Sequence, residues 1–226
     1  MKKTSCFVAI GLAALFFVTR SAGADPGLTV TLGAHTVSAS GLSRGGTAVF
    51  FAVLHEPIPG AYMNRVSRIA RVVVDDDHDG VVTLDLGRAI PAISTWAVVE
   101  PQNGHYGLAT GGRFALRTVP IAPDALRKGA GGAIDRIAFD HASLDLLYVH
   151  PGKGAWTWSA MDGDPATDVD RESGVTAVSL SKARPVGGGP QGITDLALGG
   201  TLVAIDPDRM EIAIVQIDGK LIGGAR

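Results

Sequence analysis

Between the valine-rich segments RVVV (71–74) and VVTLDL (81–86) stands DDDHDG, residues 75–80, with four carboxylates in six positions. Asp75, Asp77 and Asp79 alternate and Gly80 follows, which is the D-x-D-x-D-G opening of calcium loops. Calcium takes about six to eight oxygen ligands, and alternating carboxylates in a tight loop can converge on one ion. The pattern stops there. The position that would carry the bidentate glutamate of an EF-hand is Leu86, and both flanks read as strands, so an EF-hand is excluded. The competing expectation is a solvated hairpin tip, because Asp-Gly between two β-branched runs is itself a hairpin signal.

A second acidic stretch, DGDPATDVDRESG (162–174), carries Asp162, Asp164, Asp168, Asp170 and Glu172. It lacks the tight alternation, and Asp168, Asp170 and Glu172 form a looser candidate set for a cation. Trp156 and Trp158 alternate in AWTWSA (155–160), which places both rings on one face of a strand. Exposed, that face would be a stacking platform for a glycan ligand; buried, it would fill a core with Tyr148. Gly41-Leu42-Ser43-Arg44-Gly45 fits G-x-S-x-G, but a nucleophile elbow leads from a strand into a helix. The next run, TAVFFAVL (47–54), is β-branched and aromatic, so these residues read as a Gly/Ser turn. His35, His55, His78, His105, His141 and His150 are scattered and form no H-E-x-x-H motif. A composite zinc site would have to be assembled by the fold.

The elements that must position these residues are strands. Period-two patterns and β-branched runs mark LTVTL (28–32), HTVSAS (35–40), TAVFFAVL (47–54), SRIARVVV (67–74), VVTLDL (81–86) and TWAVVE (95–100). They continue with RIAF (136–139), LDLLYV (144–149), AWTWSA, VTAVSL (175–180), TLVAI (201–205) and MEIAIVQI (210–217). Glycine and proline punctuate them throughout. Only PDALRKG (123–129) has the look of a helical turn.

The chain also matches itself. GVVTLDLGRAIP (80–91) aligns without gaps on GVTAVSLSKARP (174–185), TWAVVEP (95–101) on TLVAIDP (201–207), and AVFFAV (48–53) on LDLLYV (144–149). Three matches in one order predict a duplicated unit, with an insertion near 187–198 in the second copy and a Gly-rich joint at KGAGGA (128–133).

The N-terminus predicts export. Lys2 and Lys3 precede an apolar run from Cys6 to Val18, and Ser21-Ala22-Gly23-Ala24 supplies a small-residue cleavage site. The run is shorter than the about 20 residues of a membrane span, so no span is expected in the mature chain. Cys6, the single cysteine, falls in this leader, which excludes disulfides, cysteine nucleophiles and thiolate metal sites from residues 25–226. Without Lys2, Lys3 and Arg20 the 20 basic residues become 17 against 22 acids, a net charge of −5. That balance argues against nucleic acid as a partner.

The expectation is therefore an all-β protein: a signal peptide (1–24) followed by two tandem, related Ig-like antiparallel β-sandwich repeats, 25–127 and 128–226. The alternative is that the two merge into one larger sandwich. The function expected is exported, periplasmic or extracellular, and non-catalytic: binding or structural, with an unknown protein or glycan of the cell envelope as partner and calcium at the acidic loop. The alternative is a carbohydrate-binding protein or a loop-assembled hydrolase of the envelope.

Overall fold

The computed structural model describes residues 27–58, 64–112, 117–121, 125–169, 173–194, 196–219 and 221; the expected signal peptide, 1–24, lies outside them. The chain is nearly all β. Its strands are β1 (Thr29–Leu32), β2 (Thr36–Ser40), β3 (Thr47–Pro57), β4 (Asn64–Val74), β5 (Val81–Asp85), β6 (Ile93–Val99), β7 (Tyr106–Gly111) and β8 (Arg117–Thr118). They continue with β9 (Leu126–Lys128), β10 (Ile134–Phe139), β11 (Ser143–His150), β12 (Gly154–Met161), β13 (Thr176–Ser179), β14 (Arg184–Pro185), β15 (Thr201–Asp206) and β16 (Glu211–Gln216).

The strands form four sheets, ordered β1-β2-β5, β4-β3-β6-β7, β14-β12-β11-β15-β16-β8 and β13-β10-β9. All pairings are antiparallel except the short β8–β16 contact. Alternation along the strands decides how the sheets stack. On β3, Ala48, Phe50, Ala52 and Leu54 meet Val37, Ala39 and Val82 of the first small sheet. The residues between them, Val49, Phe51 and Val53, meet Leu147, Val149, Val203 and Ile212 of the large sheet. On β11 the other parity, Leu144, Leu146 and Tyr148, packs on Leu126, Ile137 and Val178 of the last sheet. The result is four layers with three apolar seams.

This layering explains why β3, β6, β11 and β15 read as continuous apolar runs. A strand in a sheet covered on one side alternates apolar and polar, whereas one covered on both sides has no solvent face to mark with polar residues. The outer β1, β2 and β5 keep the alternation, as in VVTLD, where Val82 is buried and Val81 and Thr83 are exposed.

Two sequence expectations change. PDALRKG does not supply a helical turn at its described end: Leu126–Lys128 form β9, because Leu126 becomes fully buried once paired opposite Ile137. Tertiary burial outweighs the local helical preference. KGAGGA is the turn from β9 into β10, closed by Gly129 N–H to Ala133 O at 2.9 Å, and so lies within the second group of strands.

The middle seam should make the chain one cooperative unit. Phe51→Ala, which empties an enclosed site there, is expected to cost about 3–5 kcal/mol. In calorimetry a single transition should move down as a whole; two transitions with only one displaced would show the halves folding independently.

Candidate functional site

DDDHDG is not a hairpin tip. β4 pairs with β3 and β5 pairs with β2, so residues 75–80 carry the chain from one sheet to the facing one. Asp75, 1% exposed, organises this crossing. Its Oδ2 accepts the N–H groups of Gly45 at 2.8 Å and Gly80 at 3.0 Å, and its Oδ1 accepts that of Asp79 at 3.2 Å. Gly80 is required: its φ is +79° and a Cβ would stand 2.9 Å from Leu42 O. The loop is thus docked on the β2–β3 turn, where Gly41 and Leu42 both donate to Gly80 O.

The structure brings the three alternating acids together. One carboxylate oxygen each from Asp75, Asp77 and Asp79 lies within 4.8 Å of the others, the one such His/Cys/Asp/Glu set among the described residues. Asp77 and Asp79 are exposed. A hydrogen bond to Asp75, followed by the negative charge of Asp79, raises the Asp77 carboxyl above its usual range. Burial pushes Asp75 up, but the Gly45 and Gly80 N–H groups and the Asp77 hydrogen bond outweigh it and leave the carboxyl lowered. The fold therefore holds three acids in mutual reach. A hard cation placed among them would meet up to six carboxylate oxygens, less those tied to backbone N–H groups.

The second acidic loop is built differently. Asp168 is buried and accepts the N–H groups of Gly163 and Ala177, both at 3.0 Å. Asp162 accepts that of Gly174 at 2.8 Å. The Ala166 N–H and Thr167 hydroxyl hold Asp164 below the usual carboxylate range. Here the described acids form turns. Asp170 and Glu172 lie outside the described residues.

Trp156 and Trp158 face the seam between the large sheet and β9, β10 and β13. They are 7% and 6% exposed, and their N–H groups donate to Pro190 O and Ser179 O. The shared face is a core face; it offers no open platform for sugar stacking. Ser43 sits in the turn before β3, with its N–H on Glu100 Oε1 at 2.8 Å and its Oγ accepting from Asn103. A strand follows it, where a nucleophile elbow requires a helix.

Sequence reasoning missed the most unusual ionisable pair. Arg68 on β4 reaches across the middle seam and donates from Nε to Asp145 Oδ1 on β11; Ser159 Oγ donates to the same oxygen at 2.6 Å. Asp145 is fully buried and its Oδ2 has no hydrogen-bond partner. Burial raises its carboxyl pKa, opposed by the Arg68 hydrogen bond and charge, while Asp206 adds to the rise. A cavity of about 360 Å³ lined by Arg68, Ser143, Ser159 and Asp208 opens beside the pair. The only sequence signal was an aspartate inside the apolar run LDLLYV. Among known proteins, no family model, no curated protein and no solved structure matches this chain.

The raised Asp145 value fixes the sign of its pH dependence. Its contribution is complete below the unfolded carboxylate range, near pH ~4, and is lost as pH rises through the folded pKa. Arg68→Ala should destabilise the protein by about 1–3 kcal/mol at pH 7, less than the about 3–5 of an enclosed pair, because the guanidinium is 41% exposed and Asp145 can protonate instead. Urea titrations should show that deficit shrinking towards pH ~5. An equal deficit at both pH values would mean the contact is not electrostatic.

Proposed function

We propose that the protein is an exported, non-catalytic binding and structural module of the cell envelope, periplasmic or extracellular, built from two tandem, related Ig-like sandwiches. Recurrence of the strand order carries this reading. The first seven strands lie as β1-β2-β5 facing β4-β3-β6-β7. In the second half β9-β10-β13 face β12-β11-β15-β16, with β14 and β8 added at the edges. Each element has a counterpart at the same place, in chain order.

The self-matches in sequence support the same pairing. GVVTLDL and GVTAVSL fall on β5 and β13, AVFFAV and LDLLYV on β3 and β11, and TWAVVEP and TLVAIDP on β6 and β15. Seven strands in two sheets is the Ig-like count; the fourth strand joins the third rather than completing the other sheet, giving three strands against four. Among the described residues no helix is long and apolar enough to cross a membrane.

A binding or scaffolding role is favoured by how the buried acids are used. Of the six buried acids among the described residues, Asp75, Glu100, Asp168 and Asp206 accept backbone N–H groups at turns, and Asp145 and Glu211 pair with Arg68 and Arg117. Such carboxylates stabilise loops and have little freedom to move protons for a substrate. The Asp75, Asp77 and Asp79 loop takes calcium in this reading, stiffening the crossing between facing sheets.

Thermal melts of residues 25–226 in EDTA, calcium and magnesium test the calcium role. Calcium at about a hundredfold its Kd should stabilise by about 2.7 kcal/mol and raise Tm by roughly 5–11 °C. Asp77→Asn should abolish that gain and, without calcium, raise Tm slightly, because the amide keeps a donor for the Asp75 hydrogen bond and removes the repulsion from Asp79. An identical Tm in EDTA and calcium would overturn the calcium role. Retention of the leader on protein recovered from the native cell, read by N-terminal sequencing, would overturn export by a cleaved signal.

A further inference from the structure

One flank of the molecule carries a groove unrelated to the acidic loop. β4 ends its sheet and β12 lies beneath it, bordered only by the two residues of β14. Cavities of about 360, 570 and 240 Å³ run along this flank, and Arg68 lines all three. Thr157 and Ser159 supply hydroxyls, Asp164 and Asp208 line the 360 Å³ cavity, and Arg71, Lys182 and Arg184 supply positive charge to the other two. These three cations are exposed and, among the described residues, have no carboxylate partner; the ion pairs of the other arginines involve Arg68, Arg88, Arg117, Arg136 and Arg209. Such a cluster is notable on a chain whose net charge is −2.

The groove also exposes main chain. Ala155 O accepts the Val186 N–H at 2.9 Å, and the Met161 N–H donates to Thr167 Oγ1 at 3.4 Å, so the odd-numbered residues of β12 turn their backbone groups outward. Thr157 is paired with Arg184. Ser159, between them, has no strand partner on that side among the described residues, and its residue lines all three cavities. On the opposite wall, Asp75 N–H to Gly46 O sets the odd residues of β4 towards β3. The even ones, Val66, Arg68 and Ala70, therefore face out, with the Ala70 carbonyl taken by Arg71.

We propose that this groove binds an extended, carboxylate-rich peptide segment of a partner protein, laid as a strand against β12 at Ser159 with its acidic side chains on Arg71, Lys182 and Arg184. An open edge offers a donor and an acceptor at the spacing of an extended backbone, and alternate side chains of an added strand point to one wall. A neutral glycan would want an exposed aromatic ring, and the two aromatics lining this stretch, Phe51 and Trp158, are buried. Charged residues on edge strands also prevent self-association. The two roles agree: cations that repel a second copy of this basic edge attract an acidic one. The inference names a partner class for the binding role proposed above and rests on it. The groove shares no residue with the acidic loop, so the calcium melt and the test below fail separately.

The test is fluorescence anisotropy of the full chain with a labelled peptide of about eight residues alternating glutamate and valine, long enough to cross the groove. It should bind at least about tenfold tighter than the glutamine–valine peptide. Methylation of alternate amide nitrogens, which leaves every charge in place, should remove binding. Lys182→Glu and Arg184→Glu, checked for an unchanged melt, should each weaken it about tenfold, and Lys153→Glu, away from the groove, should not. Absence of binding would overturn the proposal. So would equal binding of the methylated peptide, and equal binding of an oligogalacturonate would reassign the groove to acidic glycans.

Discussion

The structure depends on one constraint: the two large sheets must bury both of their faces. A single sandwich covers one face of each sheet and leaves the other to water. Here β3, β6, β11 and β15 carry large apolar residues at both parities, so that neither half could stand alone without exposing Val49, Phe51, Val53 and Val99 or Leu147, Val149, Val203 and Ile205. Burying a side chain of this kind is worth about 1.5–3 kcal/mol relative to exposure. Back-to-back packing follows directly. It also removes the need for disulfides, which residues 25–226 cannot form.

Placing so many strands in four layers leaves many crossings between sheets, and these are where buried carboxylates appear. Backbone N–H groups at tight turns have no ladder partner, and a buried donor without an acceptor is costly. Asp75 supplies acceptors to three of them, and Asp206 to Asp208 and Arg209. Glu100 and Asp206 do this at the ends of β6 and β15, each just before a proline. His105 stands 3.4 Å from Glu100, and His141 3.6 Å from Asp206. The same local problem is met twice with the same chemistry.

What was legible in the sequence was what depends on nearest neighbours and on apolar runs. The β-branched segments became strands within a few residues of their expected ends. YGLATG (106–111) was missed because its glycines and alanines have little strand preference; it is held by pairing with β6. β8, β9 and β14 are two or three residues long and exist only through their partners. DDDHDG carried a true clustering signal, yet its hairpin appearance misled. Asp-Gly reports local turn chemistry, whereas the strands on either side are claimed by other partners: β4 pairs with β3, and β5 with β2, 41 to 49 positions upstream.

Arg68 and Asp145, separated by 77 positions, were beyond any pattern in the chain. Their place in the structure shows what such a pair is for. An aspartate in an apolar seam is expensive, and one with an unpartnered oxygen more so. Replacing buried ion pairs by apolar groups is often stabilising. What the pair adds is direction. Tyr106 apart, the buried side chains of the seam are aliphatic or phenyl groups without hydrogen-bonding preference, across which two sheets could slide. A single guanidinium on β4 that must meet a single carboxylate on β11 admits one alignment. It also sets that alignment at the flank, where the edges of β4 and β12 then stand side by side and the groove between them acquires its shape.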